Sequence, residues 1–297
     1  METSFGFCKD GRVRMTTPSV ADLPDVIDAV ASWQIEGLLV QVHPGDLGWY
    51  ERFGAQALAA ALRVWVRDGE MVAVGLLDES ELIRMAIAPA IADDVDIAEH
   101  IADDFAGPLD DLLPAGSGVV EARFGRALQR VLTSRGWTAD DPWTPLHRDL
   151  SGAAPRSSLR IKVVGPELIE DRVMVQAAAF PGSSLSVERW HQMARGYAYR
   201  NAGCLVGYDE DEVAVATATV WSAGRGRPGV LEPLGVHADH RGQGYGVSIA
   251  LAAAEALHGM GCSSATVATP SSNAAAVAAY HAAGFVSSGD VVDFCRP

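Results

Sequence analysis

Apolar and polar positions alternate through this chain in strand-length blocks, and these blocks are separated by helical stretches with apolar residues three or four apart. In the second half, a strand over 159–164 is followed by helical patterns over 167–179 and 186–197. Strands over 203–208 and 213–221 flank the acidic turn 209–212. A strand over 230–237, a glycine-rich loop, a helix over 245–259, a strand over 264–269, a helix over 273–283 and a last strand near 285–295 complete the series. The first half follows the same plan. A strand over 12–15 leads to a helix starting near Ser19, with Asp22 and Asp25 in its first turns, and a second helix is predicted over 49–62. Strands over 63–66 and 71–77 flank the turn 67–70, a hairpin signal. A strand over 82–87, a helix over 95–105, a strand over 119–124 and a helix over 126–134 follow, and Gly136-Trp137 falls where the second half has Gly284-Phe285. Repetition of element order implies duplication. The Pro/Gly/Ser-rich stretch 150–158 reads as the linker between the copies.

The two copies differ at one junction. After its fourth strand the second half runs Val-His-Ala-Asp-His-Arg-Gly-Gln-Gly-Tyr-Gly from Val236 to Gly246, directly into an alanine-rich helix. Glycine lets a backbone approach a ligand closely because no Cβ stands in the way. The first N–H groups of a helix have no internal acceptors, and the positive end of the helix dipole lies behind them. The junction therefore has the properties of an anion site, most naturally for phosphate. It does not fit the dinucleotide-binding fingerprint, since its spacing is Arg-Gly-x-Gly-x-Gly and no ribose-binding acid follows the strand over 264–269. No Gly-Lys-Ser/Thr occurs, so a Walker loop is excluded. At the same place the first half has Ala92-Asp93-Asp94-Val95-Asp96-Ile97, and no Lys or Arg occurs from Met85 through Ala122. Carboxylates there repel a pyrophosphate and fill its place.

Composition sharpens this picture. The 297 residues suffice for two domains, and 48% hydrophobic content lets each bury a core. No apolar run reaches transmembrane length, and residues 1–15 lack the apolar stretch of a signal peptide. Cys8, Cys204, Cys262 and Cys295 are scattered without metal-ligand spacing, as expected of reduced thiols in a cytoplasmic protein. No metal site is predicted. The formal charge of −15 falls mostly in the first half and disfavours nucleic acid as partner. Such acidity steers cationic substrates, and it also serves plain solubility.

The arginine-glycine loop from Val236 to Gly246, followed in order by Asn273, Tyr280, Gly284 and Phe285, resembles the GCN5-related N-acetyltransferase (GNAT) superfamily. The resemblance is specific over about residues 160–296. It implies an α/β fold of α+β type: two tandem domains, each with a mixed, mostly antiparallel sheet flanked by helices. The expected division is a degenerate domain over 1–150 that does not bind coenzyme A, a linker over 151–158 and a catalytic domain over 159–297. The implied activity is transfer of an acetyl group from acetyl-coenzyme A, as co-substrate, to an unidentified amine by direct attack, in a monomer or homodimer with no membrane partner.

The resemblance also assigns residues. The amides of Arg241, Gly242, Gln243, Gly244, Tyr245 and Gly246 hold the pyrophosphate, and Arg241 adds charge; Gly246 alternatively serves close helix packing. The strand segment Leu234, Gly235, Val236 and His237 pairs with the pantetheine arm as another strand would. Pro233 cannot donate to a ladder and is expected at an edge or bulge. A bulge there frees an N–H of Leu234, Gly235 or Val236 for the developing oxyanion. Glu232 stands where relatives recruit a general base, with a solvated rim glutamate as the plain alternative; His237 and His191 are reserves. Tyr280 matches the tyrosine that protonates the departing thiolate, or is a core aromatic on one helical face with Asn273. Asn273 either bonds the pantetheine or caps its helix. The acceptor pocket is expected at 180–184 and near Trp221, with contributions from Trp190, His191 and Tyr197.

Three readings result. The first is a tandem N-acyltransferase; mycothiol synthase is one two-domain relative with a single active half, which the residues do not single out. The second is a non-catalytic coenzyme A-binding or regulatory protein, against which Glu232 and Tyr280 stand, since a mere binder needs neither. The third, an aminoacyl-tRNA-dependent transferase, conflicts with the acidic charge.

Overall fold

The computed structural model describes residues 11–39, 41–106, 112–113, 118–152 and 157–296. It forms two compact units, one of Met1–His43, Ala55–Pro142 and Val291–Pro297, the other of Pro44–Gly54 and Trp143–Asp290. In chain order the elements are β1 (Val13–Thr16), α1 (Leu23–Ser32), α2 (Pro44–Tyr50), α3 (Ala55–Ala61), β2 (Leu62–Arg67), β3 (Glu70–Glu79), β4 (Leu82–Ile87), α4 (Val95–Ala106), β5 (Val119–Glu121), α5 (Arg126–Ser134), β6 (Thr138–Ala139) and β7 (Trp143–Asp149). They continue with β8 (Arg160–Val163), α6 (Ile169–Ala179), α7 (Val187–Arg195), β9 (Ala202–Tyr208), β10 (Ala214–Ser222), β11 (Gly229–Val236), α8 (Tyr245–Gly259), β12 (Ser264–Pro270), α9 (Ala274–Ala282), β13 (Val286–Ser287) and β14 (Phe294–Cys295).

Among the described residues each unit holds one seven-stranded sheet, in the orders β1-β2-β3-β4-β5-β14-β6 and β8-β9-β10-β11-β12-β7-β13. The pairs β4–β5 and β11–β12 are parallel, and every other neighbouring pair is antiparallel. The expected repeat is thus real in strand order. Each unit also has its own apolar core, built around Trp65, Ile83 and Phe105 in the first and Val215, Ile249 and Phe285 in the second.

Three expectations need correction. The boundary does not fall at residue 150: β7 runs antiparallel to β12 over seven residue pairs, from Trp143↔Pro270 to Asp149↔Ser264, and buries Leu146 in the second core. Residues 153–156 of the expected linker lie outside the described residues, as does Cys8. The last strand is not one element over 285–295. Val286–Ser287 pairs with β7, whereas Phe294–Cys295 inserts between β5 and β6 of the first sheet. A buried ion pair holds that insertion, with the Arg123 guanidinium 3.2 Å from the Asp293 carboxylate. Each half therefore gives its final strand to the other's sheet. The helix expected over 49–62 is likewise two, α2 and α3. They are parted at Gly54, whose φ of +96° no helix continues through, and α2 belongs to the second unit.

Candidate active site

The site is organised by the middle of β11. Leu231 pairs with Val220 and Leu234 with Ala218, so Glu232 and Pro233 together oppose the single residue Thr219. This is the bulge that Pro233 foreshadowed; the Glu232–Pro233 peptide is cis. On its other edge β11 keeps only two pairs with β12, Gly229↔Ala265 and Val230↔Thr266, and beyond them the two parallel strands part. Past the bulge, the His237 N–H donates to the Val215 carbonyl at 2.9 Å. Antiparallel bonding alternates along a strand. Gly235 is thereby turned toward β10, and the backbone groups of Leu234 and Val236 point to the edge that β12 has left.

A cleft of about 580 Å³ lies along that edge. Leu234, Gly235 and Val236 form one wall, and Ala275, Ala276, Ala279 and Tyr280 of α9 the other. The start of α8 closes its end, with Arg241, Gly242, Gly244, Tyr245 and Gly246 on the lining. Gly242 and Gly244 are left-handed, at φ +79° and +81°, and a Cβ on either would meet nothing within 4 Å. Conformation and open space call for glycine here, not packing. Gly244 is the N-cap of α8, so no side chain caps that helix. Gly246 is different: a Cβ there makes ordinary contact with Ala279 at 3.6 Å, so close helix packing does not demand glycine. At Gly235 packing does demand it, since a Cβ would come within 2.6 Å of Ala179 and Phe180.

Tyr280 is buried between the core and the cleft, edge-on to Phe285 with ring centroids 5.5 Å apart. Burial, and then the charge of Glu232, push its phenol above the ordinary value. Such a phenol stays protonated near neutral pH, so it carries a proton that it can give. Glu232 itself is half-buried and stands off the cleft lining. Asn273 takes the capping role expected of it. Its side chain accepts the Ala276 N–H at 3.2 Å as the cap of α9, and it also lies on the cleft. Arg241 donates to the Ala179 carbonyl at 2.8 Å, which ties the loop to the end of α6 while leaving the residue on the lining.

Other expected residues lie elsewhere. Gln243 is exposed and off the cleft wall. His237 accepts the Asp239 N–H at Nδ1 (3.3 Å) and packs edge-on to His240, which serves the turn after β11. Trp190 and Trp221 are buried core, and His191 packs against Trp190. Of the expected acceptor-side residues only Phe180 reaches the cleft. In the α9 wall Tyr280 was expected, but Ala275, Ala276 and Ala279 were not; their signal was the run of alanines after Asn273, small enough to leave room for a neighbour.

Residues 174–285 match the acetyltransferase (GNAT) family model. Solved structures match almost the whole chain in fold. A GNAT-family acetyltransferase from Colwellia psychrerythraea is 17% identical, with a TM-score of 0.63 over 96% of this chain and 100% of that one. A GCN5-related N-acetyltransferase from Sphaerobacter thermophilus is 16% identical, with a TM-score of 0.58 over 97% and 96%. A tandem GNAT protein from the clavulanic acid biosynthesis pathway is 14% identical, with a TM-score of 0.55 over 96% and 98%. A search of curated proteins returned no match. The match to the GNAT family model thus lies within the second unit, and the two-sheet chain shares the fold of these solved structures. Among the described residues no helix is long and apolar enough to cross a membrane.

Proposed function

We propose that the second unit transfers an acetyl group from acetyl-coenzyme A to an amine, and that it is the one acetyl-coenzyme A site of the chain. The observation that carries this reading is the α8 N-terminus, capped by glycine and opening into a cleft beside the free edge of β11. Amides at the start of a helix suit a pyrophosphate. An extended pantetheine suits the Leu234 and Val236 backbone, which offers N–H and C=O groups as a neighbouring strand would.

In this reading the amine nitrogen attacks the acetyl carbonyl carbon as the carbon–sulfur bond breaks. Glu232 takes the proton from the amine, directly or through water, and the Tyr280 hydroxyl gives its proton to the departing thiolate. The Leu234 or Val236 N–H stabilises the charge that develops on the carbonyl oxygen. Gly235 is no longer a candidate for that role, because its N–H faces β10. Nothing in the site selects a particular amine, so the mycothiol-type acceptor is not carried further.

The test is thiol release from acetyl-coenzyme A across a panel of amines. Wild-type protein is expected to release thiol with at least one amine, and Tyr280→Phe to lower kcat by about 100-fold with acetyl-coenzyme A affinity unchanged. Tight binding with no amine-stimulated release would leave a coenzyme A-binding domain instead.

A further inference from the structure

Residues 44–54 come from the first half of the sequence but belong to the second unit. The helix within them, Pro-Gly-Asp-Leu-Gly-Trp-Tyr, is a poor helix former by composition, because each interior glycine costs about 1 kcal/mol against alanine. Gly45 and Gly48 are three apart and so share a helix face, and both face the Trp221 indole. A Cβ at Gly45 would lie 2.5 Å from Trp221 Cγ, and one at Gly48 would lie 2.8 Å from Cη2 and 2.9 Å from the Ala198 methyl. The unfavourable glycines thus permit a close approach of helix backbone to indole. Trp221 is only 1% exposed, and its Nε1–H donates to the Glu232 carbonyl at 2.8 Å. In the bulge, Glu232 and Pro233 share one partner residue, and Pro233 has no N–H. The indole supplies a hydrogen bond where the ladder is interrupted.

We propose that the segment 44–54 is a positioning strap for the catalytic strand: Gly45 and Gly48 seat the Trp221 indole, and the indole fixes the bulge that carries Glu232. This gives the first half of the chain a part in the reaction without a coenzyme site of its own. It rests on the reading of Glu232 as the base. Trp221 and the strap touch no reactant and act only through the β11 backbone.

Two variants test this, Trp221→Phe, which keeps the ring and removes the donor, and Gly48→Ala, which pushes the helix off the ring. Both are expected to lower kcat roughly tenfold, with the KM for acetyl-coenzyme A within about twofold of wild type, because a small displacement of a positioned group costs rate and not donor affinity. Amide exchange at Leu234–Val236 is expected to quicken about fivefold or more in both, as local opening becomes easier. An unchanged kcat, a KM rising in step with the loss of rate, or unchanged exchange in Trp221→Phe overturns the inference. If wild-type protein acetylates no amine, the proposed activity fails on its own; exchange at β11 then still decides whether the strap holds the bulge.

Discussion

After the fourth strand of each sheet the chain turns into a helix, and the two turns have opposite fates. In the second unit the turn ends in Gly244, α8 starts without a side-chain cap, and a cleft of about 580 Å³ opens before it. In the first unit the Asp94 carboxylate accepts the Ile97 N–H at 3.0 Å and so caps α4. Only about 10 Å³ remains at that place, among Ile87, Ile91, Asp94 and Ala127. The α4 terminus already holds an anion, its own. Burial works against the ionised Asp94, but the Ile97 N–H and the Arg67 guanidinium at 2.9 Å outweigh it and hold the carboxyl below its ordinary value. Asp93 is paired with Arg126 and Arg130. The lack of arginine within the segment therefore did not mean unneutralised charge, because the partners come from β2 and α5. Occupation of the helix terminus, more than repulsion, is what closes it. The strands differ too. The stretch Ile83–Ile87 of β4 pairs with β3 without interruption, whereas β11 is bulged at Glu232. With Gly136 laid on Gly284, the place of Tyr280 falls to the buried Leu132, which has no proton to give.

The sharpest way to break this contrast is to give the second unit the first unit's carboxylate. Gly244→Asp puts an anion where the pyrophosphate is proposed to sit, and acetyl-coenzyme A affinity, read by titration calorimetry, is expected to fall about 100-fold, or about 2.7 kcal/mol. Unchanged affinity would move the donor away from the α8 terminus.

A second contrast is between two acids. Asp94 has a cation beside it. Glu51 in the strap is 2% exposed, accepts the Tyr197 N–H at 3.3 Å and has one carboxylate oxygen without a hydrogen-bond partner. Burial raises it to about 7, against the Tyr197 and Ala198 amides, which lower it. The folded value lies above the unfolded one, so the stability this carboxyl contributes is complete below about 4.5 and is lost as pH rises through 7. Glu51→Gln is expected to stabilise the protein by about 2 kcal/mol at pH 8 and to converge with wild type near pH 4, as read by denaturant unfolding. Equal stabilities at both pH values would mean that Glu51 is ionised and satisfied.

The smallest effect expected comes from Asp94→Ala. Loss of the cap is expected to destabilise the protein by about 1 kcal/mol, and calorimetry is expected still to find one acetyl-coenzyme A per chain. A second equivalent would show that the cap alone had closed the first unit.

Much of this was legible in the residues because it was local. Alternation and helical spacing located most strands and helices, and the helix boundary at Gly244–Tyr245 was marked by its glycines. Pro233 announced an interruption in its own strand. What failed was long-range. Trp143–Asp149 and Phe294–Cys295 have no feature that names their partner strands, and Pro44–Gly54 has none that assigns it to the other unit. The histidine at 237 and the aromatics at 190 and 221 looked suited to a site, but local hydrogen bonds and packing placed them in a turn and in the core.

By itself, then, the sequence determined the duplicated plan, the glycine-ended helix start and the interruption at Pro233, because turn conformation, cap chemistry and a missing N–H depend on a residue and its near neighbours. Only the tertiary structure decided which sheet each terminal strand completes, which backbone groups of β11 face the cleft and what the indole of Trp221 holds. Those outcomes are settled by competition among distant segments for buried surface and for hydrogen-bond partners, which no local pattern records.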